Sequence, residues 1–88
     1  MTKARYGVWS DTGYYVADCE TTLKDALDIA SAYVYGMGGL AEVRKTAGHL
    51  YETVCVVCDR YSVEEAPKGL KTFVVRTYDD DVEDGLEN

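Results

Sequence analysis

Residues 20–36, ETTLKDALDIASAYVYG, decide the fold of this chain because their apolar side chains recur at the spacing of an amphipathic helix. Positions three and four apart lie on one face of a helix, and that face has to be buried against another element. The apolar positions are Leu23, Ala26, Leu27, Ala30 and Val34. Thr22 and Asp25 form a weak capping box at the start, and the glycines after Tyr35 indicate the end.

Two short β-rich segments precede this helix: ARYGVW at residues 4–9 and YYVADC at residues 14–19. The residues between them, 10–13, are Ser, Asp, Thr and Gly, which are turn-forming types. The pattern predicts an antiparallel hairpin.

Three more strands are predicted after the glycines. LAEVRKT at 40–46 alternates in the manner of an exposed or edge strand. HLYETVCVVCDR at 49–60 is apolar on both faces at its centre, which predicts a central strand whose second face is covered or offered to a partner. Residues 61–70 contain the only proline and predict a loop, and KTFVVRTY at 71–78 predicts the last strand.

The predicted order is therefore β-β-α-β-β-β, an α+β architecture with one helix packed on a mainly antiparallel sheet. The 88 residues suffice for one small domain, which we place at residues 1–78, followed by an acidic tail at 79–88 that we expect to be flexible. The chain contains no apolar run of about 20 residues and no signal-like amino end, which predicts a cytoplasmic protein without membrane contact.

The net charge of −7 is concentrated in the tail, DDDVEDGLEN, which has six acidic residues and no basic one. Residues 1–78 contain all 9 basic residues and are close to neutral. Such a block is usually a solvated terminus, but it can also occupy a basic groove that otherwise holds nucleic acid. Direct binding of DNA or RNA by this chain is not expected, because no segment has the required density of Lys and Arg.

The cysteines offer one candidate metal site. Cys19, His49, Cys55 and Cys58 supply the ligand types of a Cys3His zinc site. However, the two valines between Cys55 and Cys58 favour an extended backbone, which sends these thiols to opposite faces of a strand. We expect buried thiols in a reducing compartment, with no metal and no cofactor.

No catalytic constellation is visible in the sequence. His49 is the only histidine, and none of the serines lies in a G-x-S-x-G motif. Gly36, Gly38 and Gly39 follow a helix, whereas the glycines of a phosphate loop precede one. The chain is therefore predicted not to be an enzyme.

Tyrosine is the unusual component of this chain, with 8 Tyr beside 1 Trp and 1 Phe. Tyr14 and Tyr15 are adjacent on a strand, so at least one of them should point away from the core. Tyrosine is enriched at protein interfaces, and acidic residues suit a basic partner. The candidate partner-binding residues are Tyr14, Tyr15, Tyr78, Asp79, Asp80, Asp81, Glu83 and Asp84.

One stretch resembles a known family. Residues 11–16, DTGYYV, and residues 22–27, TLKDAL, resemble the amino-terminal half of HicB-type antitoxins, in which a D-G-Y-Y-V hairpin precedes a T-L-x-E-A-L helix. This chain lacks the loop that those proteins place between hairpin and helix, and it lacks a DNA-binding tail. The resemblance implies a β-β-α start and a protein that binds and blocks a toxin.

These observations lead to one functional hypothesis and several alternatives. We expect a non-catalytic inhibitor, encoded by a phage or another mobile element, that acts as a nucleic-acid mimic. Its partner would be a host defence or nucleic-acid-handling protein with a basic surface. The alternatives are an oligomeric protein that binds a nucleotide or metabolite between tyrosine-bearing subunits, an antitoxin-like protein, and a zinc-stabilised module; a homodimer stays open.

Overall fold

The computed structural model describes residues 5–13, 15–20, 22–47 and 50–77. The elements confirm the predicted order and the α+β class. They are β1 (Arg5–Ser10), β2 (Tyr15–Glu20), α1 (Leu23–Met37), β3 (Leu40–Ala47), β4 (Leu50–Asp59), a single 3-10 turn (Val63–Glu65) and β5 (Lys71–Val75). The helix packs on one sheet of five strands in the order β2-β1-β3-β4-β5 and contacts every strand. Within the described residues, no helix is both long and apolar enough to cross a bilayer.

The sheet is mainly antiparallel, and β3 lies at its centre. β1 pairs with β2 and with β3, and β3 pairs with β4, all antiparallel; only β4 and β5 are parallel. The prediction of β3 as an exposed or edge strand is therefore wrong. Its alternation arises because Ala41 and Val43 are fully buried beneath the helix, while Glu42 and Arg44 lie on the opposite face of the sheet.

The helix begins where the sequence predicts. The Thr22 hydroxyl accepts a hydrogen bond from the Asp25 backbone N–H at 3.1 Å, which satisfies one of the donors left free at a helix start. The helix ends at Met37, one residue after Gly36, and its cap is Gly38, one of the glycines that indicate the end, whose φ of 75° favours glycine. The helix stripe that faces the sheet consists of small residues, with Ala26, Ala30 and Val34 fully buried. Small side chains allow the helix backbone to approach the sheet closely.

Two apolar clusters lie on opposite faces of the sheet. The larger one lies under the helix and consists of Val8, Ala26, Ala30, Val34, Ala41, Val43, Cys55 and Val57. The smaller one consists of Leu40, Val56 and Cys58 and is covered by Ala66 and Leu70 from the segment that joins β4 to β5. One end of the second face of β4 is thus covered by the chain itself, as the first of the two predicted alternatives required.

A β-bulge reverses the side-chain alternation of β4. Val43 pairs with Cys55 but Arg44 pairs with Thr53, so Val54 is an extra residue on its strand. Val54 consequently packs against the helix-side cluster beside Cys55, and Thr53 lies on the other face, where it bonds to Glu42. In a regular strand Val54 would share a face with Val56, and Thr53 with Cys55; the inserted residue shifts the alternation by one.

Candidate functional site

The second face of the sheet, opposite the helix, has one covered end and one end that carries polar and aromatic side chains. We call the side chains at this second end the aromatic surface. It comprises Trp9 from β1, Glu42 and Arg44 from β3, and Tyr51 and Thr53 from β4. The three strands are neighbours in the sheet, so residues distant in sequence meet here.

Trp9 is the centre of the aromatic surface. The Tyr51 ring meets it edge to face, with centroids 5.6 Å apart and planes at 80°. The Arg44 guanidinium carbon lies 4.8 Å from the centroid of the Trp9 ring, a cation–π arrangement. Tyr51 is 61% exposed, so most of its ring is available to another molecule.

Glu42 holds Arg44 in place. Its Oε1 accepts a hydrogen bond from Arg44 Nε at 3.2 Å and another from the Thr53 hydroxyl at 2.8 Å. The Arg44 Nη2 also lies 3.2 Å from the same oxygen. Because the Thr53 hydroxyl on β4 holds the Glu42 carboxylate, Glu42 in turn holds the guanidinium over the Trp9 ring.

An acidic cleft adjoins the aromatic surface through Glu42. This cleft, with a volume of about 280 Å³, is lined by Asp11, Leu40, Glu42, Glu65 and Pro67. Its three carboxylates come from the β1–β2 turn, from β3 and from the 3-10 turn. Arg44 already pairs with Glu42, so the carboxylates of Asp11 and Glu65 are the ones that face an incoming cation. Together with the two apolar side chains they suit a Lys or Arg side chain, which has an aliphatic stem and a cationic head.

A second cleft lies at the end of the helix around Asp59. Its volume is about 250 Å³, and its lining consists of Tyr35, Gly36, Met37, Gly38, Gly39, Asp59, Tyr61 and Thr77. The Asp59 carboxylate accepts hydrogen bonds from three backbone N–H groups: Gly39 at 3.0 Å, Tyr61 at 3.0 Å and Ser62 at 2.8 Å. Asp59 therefore ties the loop after the helix to the segment that follows β4.

The hydrogen bonds of Asp59 set its ionisation. Burial by itself raises the pKa of this carboxyl, but bonds from the Gly39 backbone, from the Ser62 side chain and backbone, and from the Tyr61 backbone outweigh burial. The pKa of Asp59 accordingly lies below its ordinary value. A carboxylate that is ionised and already bound by the protein is suited to a structural role rather than to proton transfer.

Cys55 and Cys58 are free, buried and on opposite faces of the sheet, as the sequence predicted. Burial raises the pKa of both thiols; the charge of Lys71 opposes this for Cys55, and that of Asp59 adds to it for Cys58. Thiols of this kind are poor nucleophiles. In the part of the chain that the structure describes, no three His, Cys, Asp or Glu side chains come together as metal ligands.

Most of the predicted partner-binding residues lie outside the described residues. They are Tyr14, Tyr78, Asp79, Asp80, Asp81, Glu83 and Asp84. His49, one of the candidate zinc ligands, also lies outside the described residues. The backbone of Tyr15 belongs to the edge strand β2, whereas its side chain lies outside the described part. Sequence reasoning did not single out Trp9, Arg44 or Tyr51. A tyrosine-rich composition was the one signal that pointed towards Tyr51.

Comparison with models of protein families, with characterised proteins and with solved structures finds no significant match for this chain. The likeness to HicB-type antitoxins thus rests on two short stretches. The described hairpin and helix have the β-β-α order that this likeness implies.

Proposed function

We propose that this chain is a non-catalytic inhibitor that binds a partner protein and occupies its basic, nucleic-acid-binding surface. The observation that carries the proposal is the acidic cleft of Asp11, Glu42 and Glu65, which shares Glu42 with the aromatic surface that contains the exposed Tyr51. Carboxylates beside an exposed aromatic ring combine attraction for Lys and Arg with a large contact area.

The negative charge of the chain supports the same class of partner, a protein with a basic surface. The tail at 79–88 adds six acidic residues and no basic one, so the whole chain has a negative field. Such a field repels nucleic acid and steers a positively charged protein towards the chain. We expect the association rate to fall as salt is added, because salt screens this attraction.

The experiment compares matched baits in a bacterial lysate. The baits are the full chain, a version that ends at Tyr78, the variant Asp11→Asn with Glu65→Gln, and a control that removes two exposed carboxylates elsewhere, Asp28→Asn with Glu52→Gln. We expect the full chain to retain a nucleic-acid-binding protein that duplex DNA displaces. The acidic-cleft variant should retain less of this protein than the control does.

The four baits separate the contribution of the tail from that of the acidic cleft. Loss on truncation alone would place the contact in the tail, and loss in the acidic-cleft variant alone would place it in the cleft. Equal retention by all four baits, or a retained protein that DNA does not displace, would contradict the proposal.

One observation favours a second candidate function, binding of a small ligand. Tyr35 and Tyr61 both line the cleft around Asp59, which has the tyrosines that a nucleotide or metabolite pocket between subunits would use. However, the backbone N–H groups of Gly38 and Gly39 already bond to Val34 and Asp59, which leaves fewer donors for a phosphate. A rise in melting temperature with a nucleotide would support this alternative.

A further inference from the structure

We propose that the aromatic surface is the docking centre for this partner, with Tyr51 as the side chain that inserts into the partner. The inference rests on the proposed function, and it adds which surface of the chain contacts the partner and which residue enters it. Trp, Tyr and Arg are the residue types that contribute most to protein interfaces, and all three meet here across β1, β3 and β4.

The surface is ordered before a partner arrives. Arg44 is held by Glu42 and lies on Trp9, and Glu42 is itself held by Thr53. Side chains that are already fixed lose little conformational entropy on binding, so more of the contact energy is available for affinity. Tyr51 adds a large and fairly rigid ring, which the Trp9 contact orients.

The arrangement suits a protein better than single-stranded nucleic acid. Proteins that bind single strands stack successive bases on several open aromatic faces. Here the Arg44 guanidinium lies over the Trp9 ring at 4.8 Å, so of the two rings of the aromatic surface it is Tyr51 that stays exposed. The acidic cleft next to the ring would also repel phosphates. These two features act against a nucleic-acid strand at this site.

The charges next to the surface specify the chemistry of the partner. A protein with a Lys or Arg beside an apolar pocket can place the cation in the acidic cleft while Tyr51 enters the pocket. A second copy of this chain is a poorer fit, because a two-fold interface would bring two acidic clefts to the same contact. The structure thus favours a basic partner over self-association.

Tyr51 has a matched control in Tyr61. Both are exposed tyrosines, at 61% and 66%; Tyr51 lies near the start of β4, and Tyr61 lies two residues beyond its end. We would place the photo-cross-linking residue benzoylphenylalanine at position 51 or at position 61 of the full chain. Each protein would be irradiated in bacterial lysate, and the cross-linked peptides would be identified by mass spectrometry.

The expected result is a cross-link from position 51, and not from position 61, to a peptide rich in Lys and Arg. With that partner purified, Tyr51→Ala should weaken binding by roughly tenfold or more, and Tyr61→Ala by less than about threefold. Circular dichroism would confirm that both variants fold.

Three outcomes would overturn the inference: cross-links from position 51 to a second copy of this chain, cross-links to nucleic acid, or equal effects at the two positions. If the full chain still retained a DNA-displaceable basic protein while position 51 gave no cross-link, the docking centre would be wrong and the proposed function would stand. If no basic protein were retained either, both would fail.

Discussion

Replacing Asp59 is expected to unfold the junction between the helix and the β4–β5 connection. The carboxylate accepts three backbone hydrogen bonds of 3.0, 3.0 and 2.8 Å, and Asp59 is only 7% exposed. A hydrogen bond to a charged group contributes about 1.5–3 kcal/mol, and water can replace part of it where the donor is partly exposed. If the buried bond from the Ser62 N–H counts in full and the bonds from Gly39 and Tyr61 count in part, Asp59→Ala should lower the free energy of unfolding by about 3 kcal/mol.

Asp59→Asn is the matched variant for this prediction. The amide keeps one oxygen, which can still accept from Tyr61 and Ser62, but it places an NH2 group against the Gly39 N–H. We expect Asp59→Asn to lower the free energy of unfolding by about 1–2 kcal/mol, which places its stability between that of the wild type and that of Asp59→Ala.

The assay is urea unfolding at pH 7, monitored by the fluorescence of Trp9, the only tryptophan in the chain. With a slope of about 1 kcal/mol per molar urea for a chain of this size, the midpoint for Asp59→Ala should fall by about 3 M. A change in the free energy of unfolding within about 0.5 kcal/mol of wild type for both variants would refute the reasoning, since that range is usual for unimportant surface positions.

The pH dependence gives an independent check with a fixed sign. The pKa of Asp59 is lower in the folded protein than its ordinary 3.8, so the ionised form stabilises the fold above about pH 4. This stabilisation is lost as the pH falls through the folded-state pKa. The stability difference between wild type and Asp59→Asn should therefore narrow below about pH 4. A difference that stays constant down to pH 2 would contradict the assignment.

Three further predictions follow from local geometry. Gly38→Ala should lower the free energy of unfolding by about 2 kcal/mol, because φ is 75° at this position and the new Cβ would lie 3.2 Å from the Asp59 carboxylate. Gly36 lies inside the helix with open space around it, so Gly36→Ala should raise the free energy of unfolding by about 0.5 kcal/mol. Thermal melts of the two variants check the opposite signs. Thr22→Ala should cost about 1 kcal/mol through loss of the helix cap, and a Thr22→Ser variant that is equally destabilised would argue against that cause. Cys55 and Cys58 should resist iodoacetamide at pH 8 in the folded protein and react in urea, as followed by peptide mass; rapid labelling of the folded chain would show that they are not buried.

Local patterns in the sequence determined the elements and their order. The helix start at Thr22 and the hairpin before it were predictable because capping, turn chemistry and apolar spacing act between residues that are close in the chain. The opposite placement of Cys55 and Cys58 was predictable for the same reason, since no irregularity separates them in β4.

Tertiary structure alone decided the centre of the sheet and the candidate site. That β3 is central depends on pairing with both β1 and β4, and its own alternation is the same at an edge or in the middle. The bulge at Val54 places Thr53 next to Glu42 and thereby helps fix Arg44 on Trp9. Strand pairing and bulges arise from contacts between segments distant in the chain, and a pattern within one segment contains no information about its partners.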